Sequence, residues 1–115
     1  MHLSSLEKAE KIKLGIEGAK GVCKQIPISK ADGTPTFSFR VFTIEPGGHT
    51  PHHTHSFEHL NYIIEGRGTV LSQDGEHNIK KGDFAMIPPG ETHQYRNTSV
   101  SKPLIMICAV LKEYE

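Results

Sequence analysis

Short runs of apolar and β-branched residues alternate with glycine- and proline-rich turns along most of the chain. The strongest runs are residues 37–45 (FSFRVFTIE) and residues 104–111 (LIMICAVL), and both are typical of strands. Shorter runs predict further strands at residues 22–28, 52–55, 58–65, 69–72, 76–80, 84–87 and 92–96. About nine short strands with almost no helix predict an all-β protein, an antiparallel sandwich or barrel.

Turn residues set the limits of these strands. Asp74-Gly75 predicts a tight hairpin between residues 69–72 and 76–80. Pro46-Gly47-Gly48 predicts the end of the strand at residues 37–45. Pro27 predicts an edge position or a strand end, because proline cannot donate to a sheet ladder.

The N-terminal part of the chain allows two interpretations. Residues 4–14 (SSLEKAEKIKL) form either a short helix capped by Ser4 or Ser5, or an extended arm. There is no internal repeat, low-complexity segment or composition shift. We therefore expect one domain over residues 1–115, whose N-terminal part, about residues 1–20, is an arm.

Histidines are concentrated in one stretch, with five in the eleven positions from His49 to His59. Because side chains alternate along an extended strand, the odd-numbered His53, His55 and His59 share a face. Three buried imidazoles need partners, and neutral imidazole is a common ligand of transition metals. We predict that these three and His93 hold one divalent metal, whereas His2, His49, His52 and His77 lie on the surface or at the pocket rim.

The opposite face of the strand at residues 58–65 carries Leu60, Tyr62 and Ile64. These side chains are too apolar for simple solvent exposure. We expect either the N-terminal segment or a second copy of the chain to cover them, and a homodimer is the predicted assembly.

Composition narrows the classes of partner. The 115 residues include thirteen basic and thirteen acidic ones, so the formal net charge is zero. Such a chain has no strong positive electrostatic field that would favour binding to nucleic acid or to an anionic membrane. The charged N-terminus does not match a signal peptide, and no run approaches the ~18 apolar residues of a membrane span. These features predict a soluble, cytoplasmic protein. Cys23 and Cys108 are expected to be free thiols, although a disulfide between them is possible.

Two spaced motifs resemble those of the cupins, the double-stranded β-helix or jelly-roll family. The first runs through Gly47, His53-Thr54-His55, His59 and Gly66, within residues 47–66. The second runs through Gly82, Pro88-Pro89-Gly90, His93 and Asn97, within residues 82–97. The resemblance implies a single jelly-roll domain and a bound metal, commonly manganese, iron, nickel, copper or zinc.

The chain departs from the family pattern at one ligand, where His59 stands in place of a glutamate. Glu58 lies one residue too early, and strand parity directs it to the other face unless a bulge intervenes. Four neutral imidazoles would leave a divalent site near +2, a stronger Lewis acid than a site with a carboxylate ligand. Nitrogen ligation favours copper, nickel, zinc and iron over manganese or magnesium.

The side chains near the proposed metal would determine which reaction takes place there. Tyr95, Glu58 and Cys108 are the candidate catalytic residues, and Glu91 is a further candidate base. Tyr95 and Cys108 also fit core packing. Arg40 fits either a carboxylate clamp or a surface strand position. Other inward candidates are Phe57, Asn61, Ile63 and Met106, while Gly90 and Asn97 are expected to shape turns.

Three functions fit these residues. The first is a metal-dependent, oxygenase-like enzyme that acts on a small chelating substrate such as an enol, a dicarbonyl or a carboxylate. The second is a metal-dependent isomerase, lyase or epimerase, in which a side chain moves a proton. The third is a non-catalytic module that binds a small molecule.

Overall fold

The computed structural model describes the whole chain, Met1–Glu115, and it is built almost entirely of strands. Two 3-10 turns, Lys30–Asp32 and Lys112–Tyr114, are its only helical segments. The all-β prediction is therefore confirmed. The strands are β1 (Ile12–Lys13), β2 (Lys20–Ile28), β3 (Phe37–His49), β4 (His59–Glu65), β5 (Arg67–Ser72), β6 (Gly75–Lys80), β7 (Phe84–Ile87), β8 (Gln94–Arg96) and β9 (Leu104–Leu111).

All strand pairs are antiparallel, and they form a strongly curled sheet. One part has the order β1-β2-β3-β9-β4-β7, and the other has the order β3-β8-β5-β6. Strand β3 belongs to both parts, because its first residues pair with β9 and its last residue, His49, pairs with Arg96 of β8. This arrangement is the predicted jelly roll.

The core lies between the two parts of the sheet. It contains fully buried side chains from β3, β4 and β9, including Ile44, Ile63, Leu104 and Met106, each at most 1% exposed. Alternation along β4 directs Asn61 and Ile63 inward and Leu60 outward, as strand parity predicts. The inward face therefore combines an apolar floor with the polar groups described below.

The structure corrects two predicted strand limits. Strand β3 does not end at Pro46-Gly47-Gly48 but continues to His49, because the backbone of Gly47 and Gly48 pairs with that of Asn97. Residues 52–55 do not form a strand. His53 makes one isolated bridge to His93, and the rest of this segment is a loop.

The N-terminal segment is an arm rather than a helix. A single turn forms where the Ala9 amide donates to the Ser5 carbonyl, and the Ser5 hydroxyl accepts from the Lys8 amide. Gln25 then holds the arm by donating to the Leu6 carbonyl at 2.6 Å. No helix in the structure is both long enough and apolar enough to cross a bilayer.

Gly66, the last glycine of the first motif, lies where two chain segments meet. It has a φ of 85°, and a Cβ at this position would overlap the carbonyl oxygen of Pro103. Only glycine fits both the conformation and the space. This close approach fixes the end of β4 against the start of β9.

The outward face of β4, β7 and β9 is apolar and exposed. Leu60 is 46% exposed, Met86 is 67% exposed and Phe84 is 81% exposed. The N-terminal arm lies instead along a groove formed with Gln25, Thr43 and Ile105. Coverage of this face by the N-terminal segment, one of the two predicted alternatives, is therefore wrong.

Candidate metal centre

The four predicted histidines meet at one side of the internal cavity, although they come from different parts of the chain. The backbone places them: His53 and His93 exchange both amide–carbonyl hydrogen bonds, at 3.1 and 2.9 Å. The Gly90 amide donates to the His55 carbonyl at 2.7 Å, which closes the loop over the same region. His59 is the first residue of β4 and points inward with Asn61.

The imidazole nitrogens of three of them converge. Ligand atoms of His53, His55 and His93 all lie within 4.8 Å of one another. His59 is outside this triad by that measure, but its ring stacks on the ring of His55 with centroids 4.3 Å apart. Its centroid lies 5.1 Å from that of His93. The structure thus brings all four rings together, while the four-ligand set stays a prediction.

Hydrogen bonds fix the protonation of two rings. Nδ1 of His53 lies 2.6 Å from the Pro51 carbonyl oxygen, and Nδ1 of His93 lies 3.0 Å from that of Glu91. A carbonyl oxygen can only accept, so each Nδ1 carries the proton and each Nε2 keeps a free lone pair. This is the support that metal-binding histidines usually receive from their surroundings.

The other two rings have buried nitrogens with no protein partner. Nε2 of His55 and Nε2 of His59 are both inaccessible to solvent and make no hydrogen bond. An unpaired buried polar atom costs about 1–3 kcal/mol. Together with the free Nε2 lone pairs of His53 and His93, these two atoms give four nitrogen ligands that a transition metal could bind. The residues therefore fit the metal that the cupin resemblance implies.

Burial keeps these imidazoles neutral, which is the form that binds metal. The pKa of His59 is lowered to about 3, mainly by burial and in smaller part by the neighbouring charges of His55 and Arg40. Burial likewise lowers the pKa of His55 to about 4, with added repulsion from His53 and His93. The pKa of His93 is also lowered, mainly by burial.

The histidines line a cavity of about 170 Å³ inside the barrel. One wall is polar: the Tyr95 hydroxyl donates to Oδ1 of Asn61 at 2.8 Å. Tyr95 is 3% exposed, and burial raises the pKa of its hydroxyl above the usual range. Tyr95 therefore faces the cavity with its hydroxyl hydrogen-bonded, and its candidate catalytic role stays a prediction. The apolar wall is formed by Leu14, Ile16, Val22, Phe42 and Met106.

Arg40 also faces the cavity and is only 7% exposed, so the expectation of a surface position is wrong. Its Nη2 donates to Sγ of Cys108 at 3.0 Å, and its guanidinium lies 5.1 Å from the ring centre of Phe42. Cys108 is fully buried with a free thiol, and Cys23 is free as well. Cys108 therefore contacts Arg40 and does not line the cavity.

The other candidate residues lie away from the cavity. Glu58 is exposed and on the opposite face from His59, in agreement with strand parity. Glu91 lies in a separate surface groove and contributes only its carbonyl, to His93. Asn97 is buried and donates to the Ile44 carbonyl, which is the expected structural role.

Lys24 and Tyr114 are among the residues near the histidine cluster that were not found from the sequence. Lys24 of β2 lines the cavity beside Arg40. Tyr114 stacks on Phe57 with ring centres 4.2 Å apart, and Phe57 in turn stacks on His55 at 4.9 Å. Only the even spacing of Lys24 from Val22 hinted that both side chains share a strand face. No sequence pattern marked Tyr114.

Comparisons with known proteins agree with this architecture. The family model of the cupin domain matches residues 40–110. An uncharacterized protein of Aquifex aeolicus is 31% identical over 109 residues, which cover 93% of this chain and 88% of that protein. Gentisate 1,2 dioxygenase 1 of Aquipseudomonas alcaligenes is 40% identical over 63 residues, but these cover 54% of this chain and 18% of that enzyme.

Among solved structures, a polyketide cyclase from Streptomyces resistomycificus superposes with a TM-score of 0.90. The match covers 97% of this chain and 80% of the cyclase, at 24% sequence identity. At this identity the likeness concerns the fold alone.

Proposed function

The chain belongs to the cupin family, and from this membership we propose that it is a metal-dependent, oxygenase-like enzyme that acts on a small chelating substrate. The family commonly binds a metal, and this chain has a histidine cluster in the corresponding cavity. The proposed substrate is an enol, a dicarbonyl or a carboxylate, because each of these classes has oxygen atoms that can bind a divalent metal.

The observation that carries the proposal is the pair of buried, unpartnered Nε2 atoms on His55 and His59. They lie beside His53 and His93, whose Nδ1 protons are held by carbonyl oxygens. Histidines that only packed in a core would be hydrogen-bonded. One divalent transition metal, held by these four residues, would supply Lewis acidity and, if it is redox-active, electron transfer.

The remaining residues of the cavity would bind the substrate and exclude water. The Tyr95–Asn61 hydrogen bond holds one wall in a fixed position, 2.8 Å from hydroxyl to amide oxygen. The apolar wall opposite removes water from the reacting groups, which strengthens electrostatic interactions inside. Positioning and water exclusion are the main contributions that a protein makes when a bound group supplies the chemistry.

The absence of a carboxylate from the cavity lining favours oxygenase-like chemistry over isomerase or lyase chemistry. No carboxylate lines the cavity, and Glu58 lies on the other side of its strand. Tyr95 stays protonated because burial raises the pKa of its hydroxyl, so it is a hydrogen-bond donor rather than a base. Enzymes that move a proton need a base within reach of the substrate. The partial likeness to a gentisate dioxygenase points in the same direction.

Metal content tests the site directly. We would measure metal per chain by mass spectrometry in the wild type, His59→Gln and His53→Gln, purified without chelating resin. His77→Gln is the matched control, because His77 is an exposed histidine on the β5–β6 hairpin. We expect about one metal per chain in the wild type and the control, and a clear loss in the two cavity variants. A wild type that stays metal-free after reconstitution would refute the proposal.

Oxygen dependence then tests the reaction. The metal-loaded protein would be screened with enol and dicarbonyl compounds in air and under nitrogen. Substrate loss that requires oxygen would support the oxygenase, whereas loss that is equal under nitrogen would favour an isomerase or lyase. Binding without turnover in either gas would favour the non-catalytic module.

We also propose that the protein acts as a homodimer through the exposed outer face of β4, β7 and β9. Leu60, Phe84 and Met86 form a continuous apolar surface there, together with Phe39 and Ile107. Exposed apolar surfaces of this kind typically mark a protein–protein interface.

A further inference from the structure

A buried positive charge without a counter-ion lies next to the histidine cluster. Arg40 is 7% exposed, and its Nε is buried with no hydrogen-bond partner. Its Nη2 has only the thiol of Cys108, and Nη1 lies 3.5 Å from the Tyr114 carbonyl oxygen. A buried guanidinium is costly unless it is paired, because burial removes its hydration. The protein itself therefore leaves much of the binding capacity of Arg40 unused.

No carboxylate of the chain forms an ion pair with Arg40. All three ion pairs of the structure lie elsewhere, on surface residues, and none involves Arg40. The nearest acidic residue in the hydrogen-bond network is Glu115, whose side chain accepts from the Lys30 amide at 3.0 Å and from the Ser38 hydroxyl. Its main-chain oxygen accepts from Nζ of Lys24 at 3.3 Å. Glu115 is thus engaged with other groups.

A second cation lies beside Arg40. Lys24 is half-buried and lines the same cavity. Its pKa is lowered, first by burial and then by repulsion from Arg40, while Glu115 opposes the shift. The cavity thus holds two cationic side chains and no acidic one, and a divalent metal held by four neutral ligands would add a charge of +2.

We propose that Arg40, assisted by Lys24, is an anion-binding subsite that holds the carboxylate of a small substrate with an apolar body. This inference rests on the proposed function and deepens it, because it selects the carboxylate class among the chelating substrates. The guanidinium lies over the ring of Phe42, 5.1 Å from its centre. A planar guanidinium can bind a carboxylate through two parallel hydrogen bonds. The apolar wall, with Val22 and Met106, would take the rest of the molecule.

The test measures binding of defined probes rather than turnover. Benzoate and hexanoate, and the neutral benzamide and hexanamide, would be titrated by calorimetry into the metal-free protein and into the zinc-loaded protein. We expect each carboxylate to bind the wild type at least about ten-fold more tightly than its amide. Arg40→Gln should remove this preference in the metal-free protein, where no metal contributes to carboxylate binding, and leave binding of the amides unchanged. Equal affinity of carboxylates and amides for the wild type would overturn the proposal.

Arg67→Gln is the matched control, because Arg67 is an exposed arginine of β5 outside the cavity. It should keep the full preference for carboxylates. If Arg40→Gln fails to fold, Lys24→Gln gives the second measurement, since Lys24 is only half-buried. That variant should weaken binding of both carboxylates about three-fold. The dependence of carboxylate affinity on salt concentration should not become steeper than in the wild type. Unchanged carboxylate binding in a folded Arg40→Gln, or in Lys24→Gln if Arg40→Gln does not fold, would refute the subsite.

The two proposals fail in different ways. A wild type without metal that still prefers carboxylates through Arg40 would refute the metal-dependent function and leave the subsite standing. If the wild type holds one metal per chain and Arg40→Gln binds benzoate as tightly as the wild type does, the subsite alone is refuted.

Discussion

Acid should destabilise the metal-free protein, and His59 should account for a measurable part of the effect. Burial lowers the pKa of His59 to about 3, from 6.5 for the free side chain. In the unfolded chain the imidazole takes up a proton near pH 6.5, whereas in the folded chain it does not do so until about pH 3. The folded state therefore loses stability as the pH falls through this window, and above it His59 has no effect.

The size of the effect follows from the two pKa values. Within the window, each such histidine changes the free energy of unfolding by up to ~1.4 kcal/mol per pH unit. Between about pH 7.5 and about pH 5, the loss through His59 comes to about 2 kcal/mol. His55, with a pKa of about 4, acts in the same direction. Its contribution is smaller, because His55 is less completely buried and solvent screens part of the interaction.

Urea unfolding of chelator-treated protein at several pH values measures this effect. His59→Gln removes the titrating group, so the free-energy difference between wild type and variant should change by about 2 kcal/mol over the same pH range. His77→Gln, an exposed substitution, should give a curve parallel to the wild type. A His59→Gln curve that also runs parallel to the wild type would refute the argument that burial keeps this imidazole neutral.

Three further predictions follow from the structure. Tyr95→Phe leaves Oδ1 of Asn61 without its donor and should lower the free energy of unfolding by about 1–3 kcal/mol in urea denaturation, whereas Tyr62→Phe, on the outer side of β4, should cost less than ~0.5 kcal/mol. Gly66→Ala should destabilise by more than ~2 kcal/mol in the same assay, and a loss below ~0.5 kcal/mol would contradict the close approach described for this residue. Phe84→Lys should convert the proposed dimer to a monomer in analytical ultracentrifugation, and a wild type with the mass of one chain at micromolar concentration would contradict the dimer.

Local sequence signals predicted the parts of the fold that depend on local rules. Alternation predicted which face of β4 lies inward, and Asp74-Gly75 predicted the β5–β6 hairpin, because both depend on neighbouring residues. Motif spacing predicted that His93 would join the histidines near residue 55, and the His53–His93 bridge brings it there.

Other features depend on contacts between distant parts of the chain, and the sequence-based predictions for them were wrong or missing. The segment at residues 52–55 alternates like a strand, but after Pro51 its hydrogen bonds go to Gly90 and His93 rather than to a neighbouring ladder. Strand β3 passes through Pro46 because that residue is exposed and needs no partner. The burial of Arg40 arises from packing against Phe42 and Cys108, contacts that no local pattern encodes.

The position of β9 has a consequence for how the chain reaches its native state. This strand is the last of the nine in sequence, yet it lies between β3 and β4 in the sheet. The strands before it cannot complete their ladders during synthesis, so folding is expected to wait until Leu104–Leu111 has left the ribosome. Its pairing with β3 closes a long loop, which is a slow step in folding. Nascent chains would thus expose the edges of β3 and β4, and folding assistance should matter most at that moment.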